Sequence, residues 1–529
     1  MSPSRAYRPT ATQLARALCL AGGALAQAVS AQLGTHAPQS WNEGSPGLTS
    51  SLQEEVHFGA AVASGDFDCD GIDDLAIGVP EDDDEGGAVL DVGYVMVLYG
   101  SHSGLVAAGH DLWDQQELAA ESEEELDHFG EVLGAGDFDD DGCDDLVIGM
   151  PSEGIGSASN AGGLQVIYGA AGGLTEVGNA FFRQGDGAIG SAPEANDNFG
   201  ASLAVGDFDA DGVDDLAVGV PGEDIEAAGV SDAGAVHVLF GSAGVGLTGT
   251  GDLVFYRGNG VDGVPQEDER IGFALAAGQF NSFTAWHELA IGAPYSSSPG
   301  HTSDGRVILL LNPGTVGNSV EFTQSGGAPG ESENNDLFGW TLATGDFNGD
   351  GDDELAVGTP FENLEEWVSA TDAGAITVLD VEEVTGYQRL TQGEFFMLPE
   401  DGDRLGIALT AGDFNADGAD DLAIGVPFED LGTGLVHVLH GAMGAGLDPA
   451  TETHWFQTVG TDQPGDYFGY ALAAGRFAGH SGFDLAVGVP YETFVGFSDA
   501  GVVNIVFSDA LFADGFESGD TAIWSGTLD

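Results

Sequence analysis

The sequence predicts an all-β fold, a seven-bladed β-propeller of four-stranded antiparallel blades, and three observations carry that expectation. One phrase recurs seven times along the 529 residues, opening on Phe-Gly or an aliphatic-Gly pair and closing on Gly-x-Pro. The acidic loops inside these phrases begin at positions 66, 137, 207, 279, 346, 413 and 476, and self-similarity at such a period marks a repeat architecture. Between the turn residues of each period, short runs alternate at period two, as half-buried strands do.

The elements follow in order. Arg5, Arg8 and Arg16 precede the apolar run 17–26 and the small-x-small site Val29-Ser30-Ala31, which predicts a secretory signal peptide over 1–31 and a soluble, secreted chain, associated with the cell surface or free. Cys19 follows Leu18 where a lipid-anchor signal needs a small residue, which argues against an anchor there. The propeller spans 32–507, and an acidic tail, 508–529, ends the chain. In the first unit, small residues at 60–64 predict an inner strand, 75–79 a second and 94–99 a third, with a more polar outer strand near 111–115. Six such outer strands lie between successive units. The segment 38–42 is the seventh, so a strand from the N-terminal end is expected to complete the last blade beside 502–507.

Charge narrows the partners. There are 88 Asp and Glu against 10 basic residues, all arginine, giving a formal charge of −78, or −81 once the three arginines of 1–31 are removed. A phosphate backbone is excluded as a partner, and an anionic membrane surface is disfavoured. No segment beyond the signal has the roughly 20 apolar residues needed to span a bilayer, so no membrane insertion is expected. Cys69 and Cys143 are the remaining cysteines; they occupy different loop positions, 4 and 7, which argues against a disulfide between them.

The loops carry the chemistry. In the first, Asp66, Asp68, Asp70 and Asp74 stand at positions 1, 3, 5 and 9, Gly71 turns the chain at 6, and Ile72 offers its carbonyl at 7. Oxygen ligands so spaced wrap one hard cation, and calcium accepts six to eight of them. The set recurs as Asp137, Asp139, Asp141, Cys143 and Asp145; as Asp207, Asp209, Asp211, Val213 and Asp215; as Asp346, Asn348, Asp350, Asp352 and Glu354; and as Asp413, Asn415, Asp417, Ala419 and Asp421. About five Ca2+ ions are expected. An EF-hand would need an acid at position 12, where Ile77, Ile148, Val218, Val357 and Ile424 stand instead. Unit four (Gln279-Phe280-Asn281) and unit seven (Arg476-Phe477-Ala478) lack the set and should fold without an ion.

With Phe-Gly, Gly-x-Pro and Asp-x-Asp-x-Asp-Gly-x-x-Asp between them, the chain resembles the FG-GAP repeat family, which includes the propeller heads of integrin alpha chains. The resemblance covers 38–507, with Ile271 and Leu405 replacing the motif phenylalanine. It implies calcium at the hairpin loops of one face and adhesion or ligand recognition by loops of the other. The tail from Phe512 to Ser525 resembles a short C-terminal segment of secreted bacterial proteins.

Two residues beyond each Gly-x-Pro proline stand Asp82, Glu153, Glu223, Glu362, Glu429 and Glu492, with Ser296 in unit four. These carboxylates either cap their own loops or receive a basic side chain or sugar hydroxyls, beside Phe361, Trp367, Phe428 and Tyr491. No nucleophile elbow, zinc motif or phosphate loop is present, so no catalytic residue is assigned. His57 and His128, each preceding Phe-Gly, read as structural. The expected function is a secreted, monomeric, calcium-binding module that recognises an extracellular protein or glycan. The alternatives are an extracellular hydrolase or lyase of phospholipase or polysaccharide-cleaving type, and a passive surface-coat protein.

Overall fold

The computed structural model describes residues 36–508, apart from 84–88, 117, 119–124, 187–188, 226, 282–283, 316–318, 325–331, 365–369, 382–386, 396 and 458–462. The expected signal peptide, nearly all of the tail and Trp367 lie outside the described residues.

Seven sheets follow one another around a ring, each of four antiparallel strands, and the third adds a two-residue parallel strand, Gly260–Val261, beside its outer strand. In the first blade the strands are Ala61–Gly65, Asp74–Val79, Tyr94–Tyr99 and Val106–Trp113 from the axis outward. The outer strand begins earlier than its polarity suggests, because a register shift between Val97 and Tyr99 lets it pair around a bulge. In the seventh blade Ala471–Gly475, Asp484–Val489 and Val502–Val506 come from the C-terminal part of the chain, and Gln39–Trp41 adds the outer strand, with Gln39 opposite Ile505 and Trp41 opposite Val503. The strand from the N-terminal end thus completes the last blade, as the repeat count requires. Ser508 belongs to this blade too, its N–H donating to Asp484 Oδ1 at 2.8 Å.

The repeated residues explain themselves at the blade junctions. Each inner strand touches the next around the whole ring, and these strands consist of Ala, Ser, Thr and Gly with one or two Leu or Val in each. A Cβ on Gly78, in the first Gly-x-Pro, would overlap the carbonyl oxygen of Gly130 in the next Phe-Gly; the same clash awaits at Gly149 against Gly200 and at Gly219 against Gly272. The two motifs are therefore two halves of one contact. The preceding aromatic or aliphatic residue, Phe58, Phe129, Phe199, Ile271, Phe338, Leu405 or Phe468, is buried between blades. A second series, Phe67, Phe138, Phe208, Phe280, Phe347, Phe414 and Phe477, is buried under the acidic loops. Each such side chain stabilises the ring by about 1.5–3 kcal/mol through removal from water.

Candidate metal-binding loops

Each acidic loop joins the inner strand to the second strand of its blade, so all lie on one face. In the first, Asp66 accepts the N–H groups of Asp70 and Gly71, both at 2.9 Å, and Asp70 accepts that of Ile72 at 2.9 Å. Asp74 accepts from Phe67 at 2.9 Å and from Gly100, beyond the third strand, at 2.7 Å. These bonds recur at Asp137, Asp141 and Asp145, and at Asp207, Asp211 and Asp215. In the sixth blade Asp413, Asn415, Asp417 and Asp421 repeat them. The glycine at position 6 has φ of +86° in the first loop and nothing within 4 Å of a built Cβ, so backbone conformation alone selects it.

The structure gathers ligand atoms of Asp66, Asp68 and Asp70, of Asp137, Asp139 and Asp145, and of Asp207, Asp209 and Asp215, each trio within 4.8 Å. These acidic clusters could hold a metal ion. Burial, above all, raises Asp68, Asp139 and Asp209, and the neighbouring position-5 carboxylates push the same way. Burial also pushes Asp74 and Asp145 to about 8 and Asp215 to about 7. Oδ1 of Asp139, Oδ1 of Asn348 and Oε2 of Glu354 are buried without a hydrogen-bond partner. Mutual repulsion and orphaned oxygens at ligand positions are what a hard cation would relieve, so the donor sets fit one. At position 7, Ile72, Cys143, Val213 and Ala419 bury their side chains between blades. In the fifth loop the Asn348 amide donates to Glu354.

The two units without the set replace it differently. In the fourth, Gln279 Nε2 donates to the carbonyls of Asn281 and Trp286 and to Thr284 Oγ1, while Asn281 Nδ2 donates to Glu288 at 2.6 Å. An amide network closes this loop. In the seventh, the Arg476 guanidinium stacks 4.3 Å from the Phe483 ring centroid, and His480 Nε2 lies 3.2 Å from Asp484 Oδ1. In the sixth blade His440 Nδ1 lies 3.4 Å from Asp421 Oδ1.

Cys69 and Cys143 form a disulfide, with Cα atoms 4.8 Å apart, contrary to the expectation from their unlike loop positions. The blades are staggered, so position 4 of one loop meets position 7 of the next. The same meeting occurs where the ring closes: a Cβ on Gly479, position 4, would stand 3.1 Å from Ile72 Cδ1, position 7.

On the opposite face the carboxylates after Gly-x-Pro do not form an open ring. Glu153, Glu223, Glu362, Glu429 and Glu492 are buried and accept from Gln115, Gln184, Gln324, Gln392 and Gln457, at 2.9, 2.5, 2.7, 2.7 and 2.7 Å. Each glutamine lies just beyond the outer strand of the preceding blade, so these pairs clasp neighbouring blades. The junction of blades seven and one differs: two residues past Trp41 stands buried Glu43, which accepts from Tyr94 Oη at 2.8 Å and from the Gln53 N–H at 2.9 Å, while the Gln53 side chain donates to Asp82 in an exposed contact. Between blades three and four the pair is rewritten. Arg257 stands in the glutamine's place and Ser296 in the glutamate's, and both donate to buried Glu269, at 2.7 and 2.8 Å.

Also on this face, Tyr295, Phe273, Trp340 and Phe361 touch in succession along blades four and five, and Phe428, Tyr467 and Tyr491 along blades six and seven. Arg404 bridges Phe361 and Phe428, 4.7 Å from each centroid. His57, on the first blade, lies 4.4 Å from Tyr491 and 3.0 Å from Glu81. Among the described residues no helix is long and apolar enough to cross a membrane.

Seven blades joined through paired glycines, with acidic hairpin loops on one face, define a repeat propeller whose acidic clusters could hold a metal ion. The chain carries five FG-GAP repeats, matched at 58–90, 129–167, 199–239, 338–379 and 405–439, the five units whose acidic loops are intact, and it is similar to integrin alpha chains. Integrin alpha-PS2 of Drosophila melanogaster is 32% identical over 231 residues, 42% of this chain and 15% of that protein. Integrin alpha-5 of Xenopus laevis is 31% identical over 204 residues, 37% of this chain and 16% of that protein. Phosphatidylinositol-glycan-specific phospholipase D of Rattus norvegicus is 32% identical over 167 residues, 31% of this chain and 19% of that protein. The match thus spans less than a fifth of each relative.

Proposed function

We propose that the chain is a secreted, calcium-stabilised propeller acting as an extracellular recognition or adhesion module. The observation that carries the calcium reading is the repetition of one donor arrangement in five loops, three of which gather three carboxylates within 4.8 Å. Asp66, Asp68, Asp70, Asp74 and the Ile72 carbonyl, with their counterparts in blades two, three, five and six, would hold the ions. A bound ion supplies charge compensation that lets each inner hairpin close. The recognition reading rests on the likeness to integrin alpha chains and on the half-exposed aromatic arc opposite the loops; its ligand would be a protein or a glycan. Native mass spectrometry of the full chain, with melting in calcium and in chelator, tests the first part. About five ions and a lower melting point in chelator support it; no ion and equal melting points overturn it. Retention on panels of matrix proteins and neutral glycans tests the second, and an empty panel favours a passive coat.

A further inference from the structure

We infer that the Cys69–Cys143 disulfide joins the acidic loops of blades one and two into a single redox-sensitive calcium unit, resting on the calcium reading above. Residue 69 is position 4 of the first loop, in left-handed conformation at φ +59°, and lies between Asp68 and Asp70. Residue 143 is position 7 of the second loop, where the carbonyl is the expected ligand and the N–H is already held by Asp141 at 3.0 Å. The covalent link therefore runs from the middle of one donor set into the other.

Noncovalent ties add to it at the same junction. Asp144 donates its N–H to the Asp66 carbonyl at 3.0 Å, and its carboxylate accepts the Asp66 N–H at 2.8 Å. Gly172, in the second blade, donates to the Asp68 carbonyl at 3.3 Å. Positions 1, 3 and 4 of the first loop are thereby fixed to the second blade. Without a cation, each loop concentrates like charges and must be held in shape against their repulsion. Ordering either loop with an ion orders part of the other through the disulfide, so the second ion meets a loop whose conformational freedom is already reduced.

The chain contains its own controls. Blades two and three, and blades five and six, are also neighbours with acidic loops, and share the backbone tie: Asp214 to the Asp137 carbonyl at 3.3 Å and Asp420 to that of Asp346 at 2.9 Å. Their position 4 and 7 residues are Asp140 with Val213 and Gly349 with Ala419, which form no covalent bond. Coupling of the proposed kind belongs to the first pair alone.

A dithiol reductant opens the unit. Two electrons and two protons convert the Sγ–Sγ bond into the thiols of Cys69 and Cys143, while the reductant's two thiols close into its own disulfide.

The test is hydrogen exchange of the full chain against free calcium, oxidised and after dithiothreitol, read separately on peptides covering 66–74, 137–145, 207–215, 346–354 and 413–421. In the oxidised chain the first two loops should gain protection together. Reduction should raise the calcium needed for both by about fivefold or more, the usual scale of coupling between sites, and leave the other three unmoved. The double variant Cys69→Ser, Cys143→Ser should match the reduced chain. Equal midpoints in both redox states, or a shift shared by all five loops, overturn the inference alone. Absence of calcium-dependent protection in every loop overturns the calcium reading and this inference with it.

Discussion

Gly488 of the seventh blade faces the carbonyl oxygen of Gly59 in the first, so closely that a Cβ on Gly488 would overlap it. This is the same glycine contact that joins every other pair of blades, made here between residues at opposite ends of the repeat array. Ring closure is a packing event as well as a strand exchange.

Gly488→Ala should therefore destabilise the chain by about 1–3 kcal/mol or more, since the obstructing atom is a backbone carbonyl that cannot yield cheaply. Gly134→Ala is the matched control: its Cβ would meet nothing nearer than 3.5 Å, and its stability in urea should equal or exceed that of the parent. Equal losses in both variants would refute the close-approach account.

Arg257→Gln should cost about 3–5 kcal/mol, because Glu269 would remain buried with its main partner gone. Adding Ser296→Glu removes the serine donor to Glu269 and sets a second carboxylate beside it, so the double variant should be weaker than the single. Equilibrium unfolding of the single and double variants checks this order, and a double variant as stable as the parent would show that this junction can take the glutamine–glutamate arrangement of the others.

Without metal, stability should fall as pH rises from about 4 to 8. Burial pushes Asp82, Asp197 and Asp336 to about 7 and also raises Asp403 and Glu429. Unfolded, these groups titrate near 4, so between the two values the folded chain holds protons that the unfolded chain has released, and each unit of pH costs stability. Glu452, held at about 2 by hydrogen bonds from His437 and His454 against the effect of burial, opposes this only below its unfolded value. Melting points in chelator should be higher at pH 5 than at pH 8; the reverse order would contradict the assignment.

Asp207→Asn should lower the ion count by one and reduce the melting-point gain in calcium, while its Oδ1 still accepts the N–H of Asp211. Gln279→Ala, in the loop closed by amides, should lower the melting point equally with and without calcium. Native mass spectrometry and paired melts distinguish the two.

Much of this was legible in the residues. The period, the third strand 94–99 and the strand from the N-terminal end that completes the last blade could all be read, because each depends on local alternation or on counting. The acidic loops could be placed at the inner hairpins for the same reason. What escaped reading depends on how one blade is offset against the next. The stagger that sets Cys69 beside Cys143 has no local signature, and neither does the reach of Gln115 to Glu153 across 38 residues. The signal that could have found the latter is a glutamine two residues past five outer strands, at 115, 184, 324, 392 and 457, replaced by arginine at 257 in the junction where Ser296 replaces the acid.

The pairing of Gln39 with Ile505 also sets an order of events. During synthesis the first strand emerges early and its partner hundreds of residues later, so the seventh blade is the last to be completed however quickly the others form. Until then the edge of Val502–Val506 or its precursor is open, and the loop to be closed is nearly the whole chain, a slow step by contact order. Aggregation through that edge is the characteristic hazard of the interval, and a peptide matching residues 36–42 supplied in excess during refolding should compete for it.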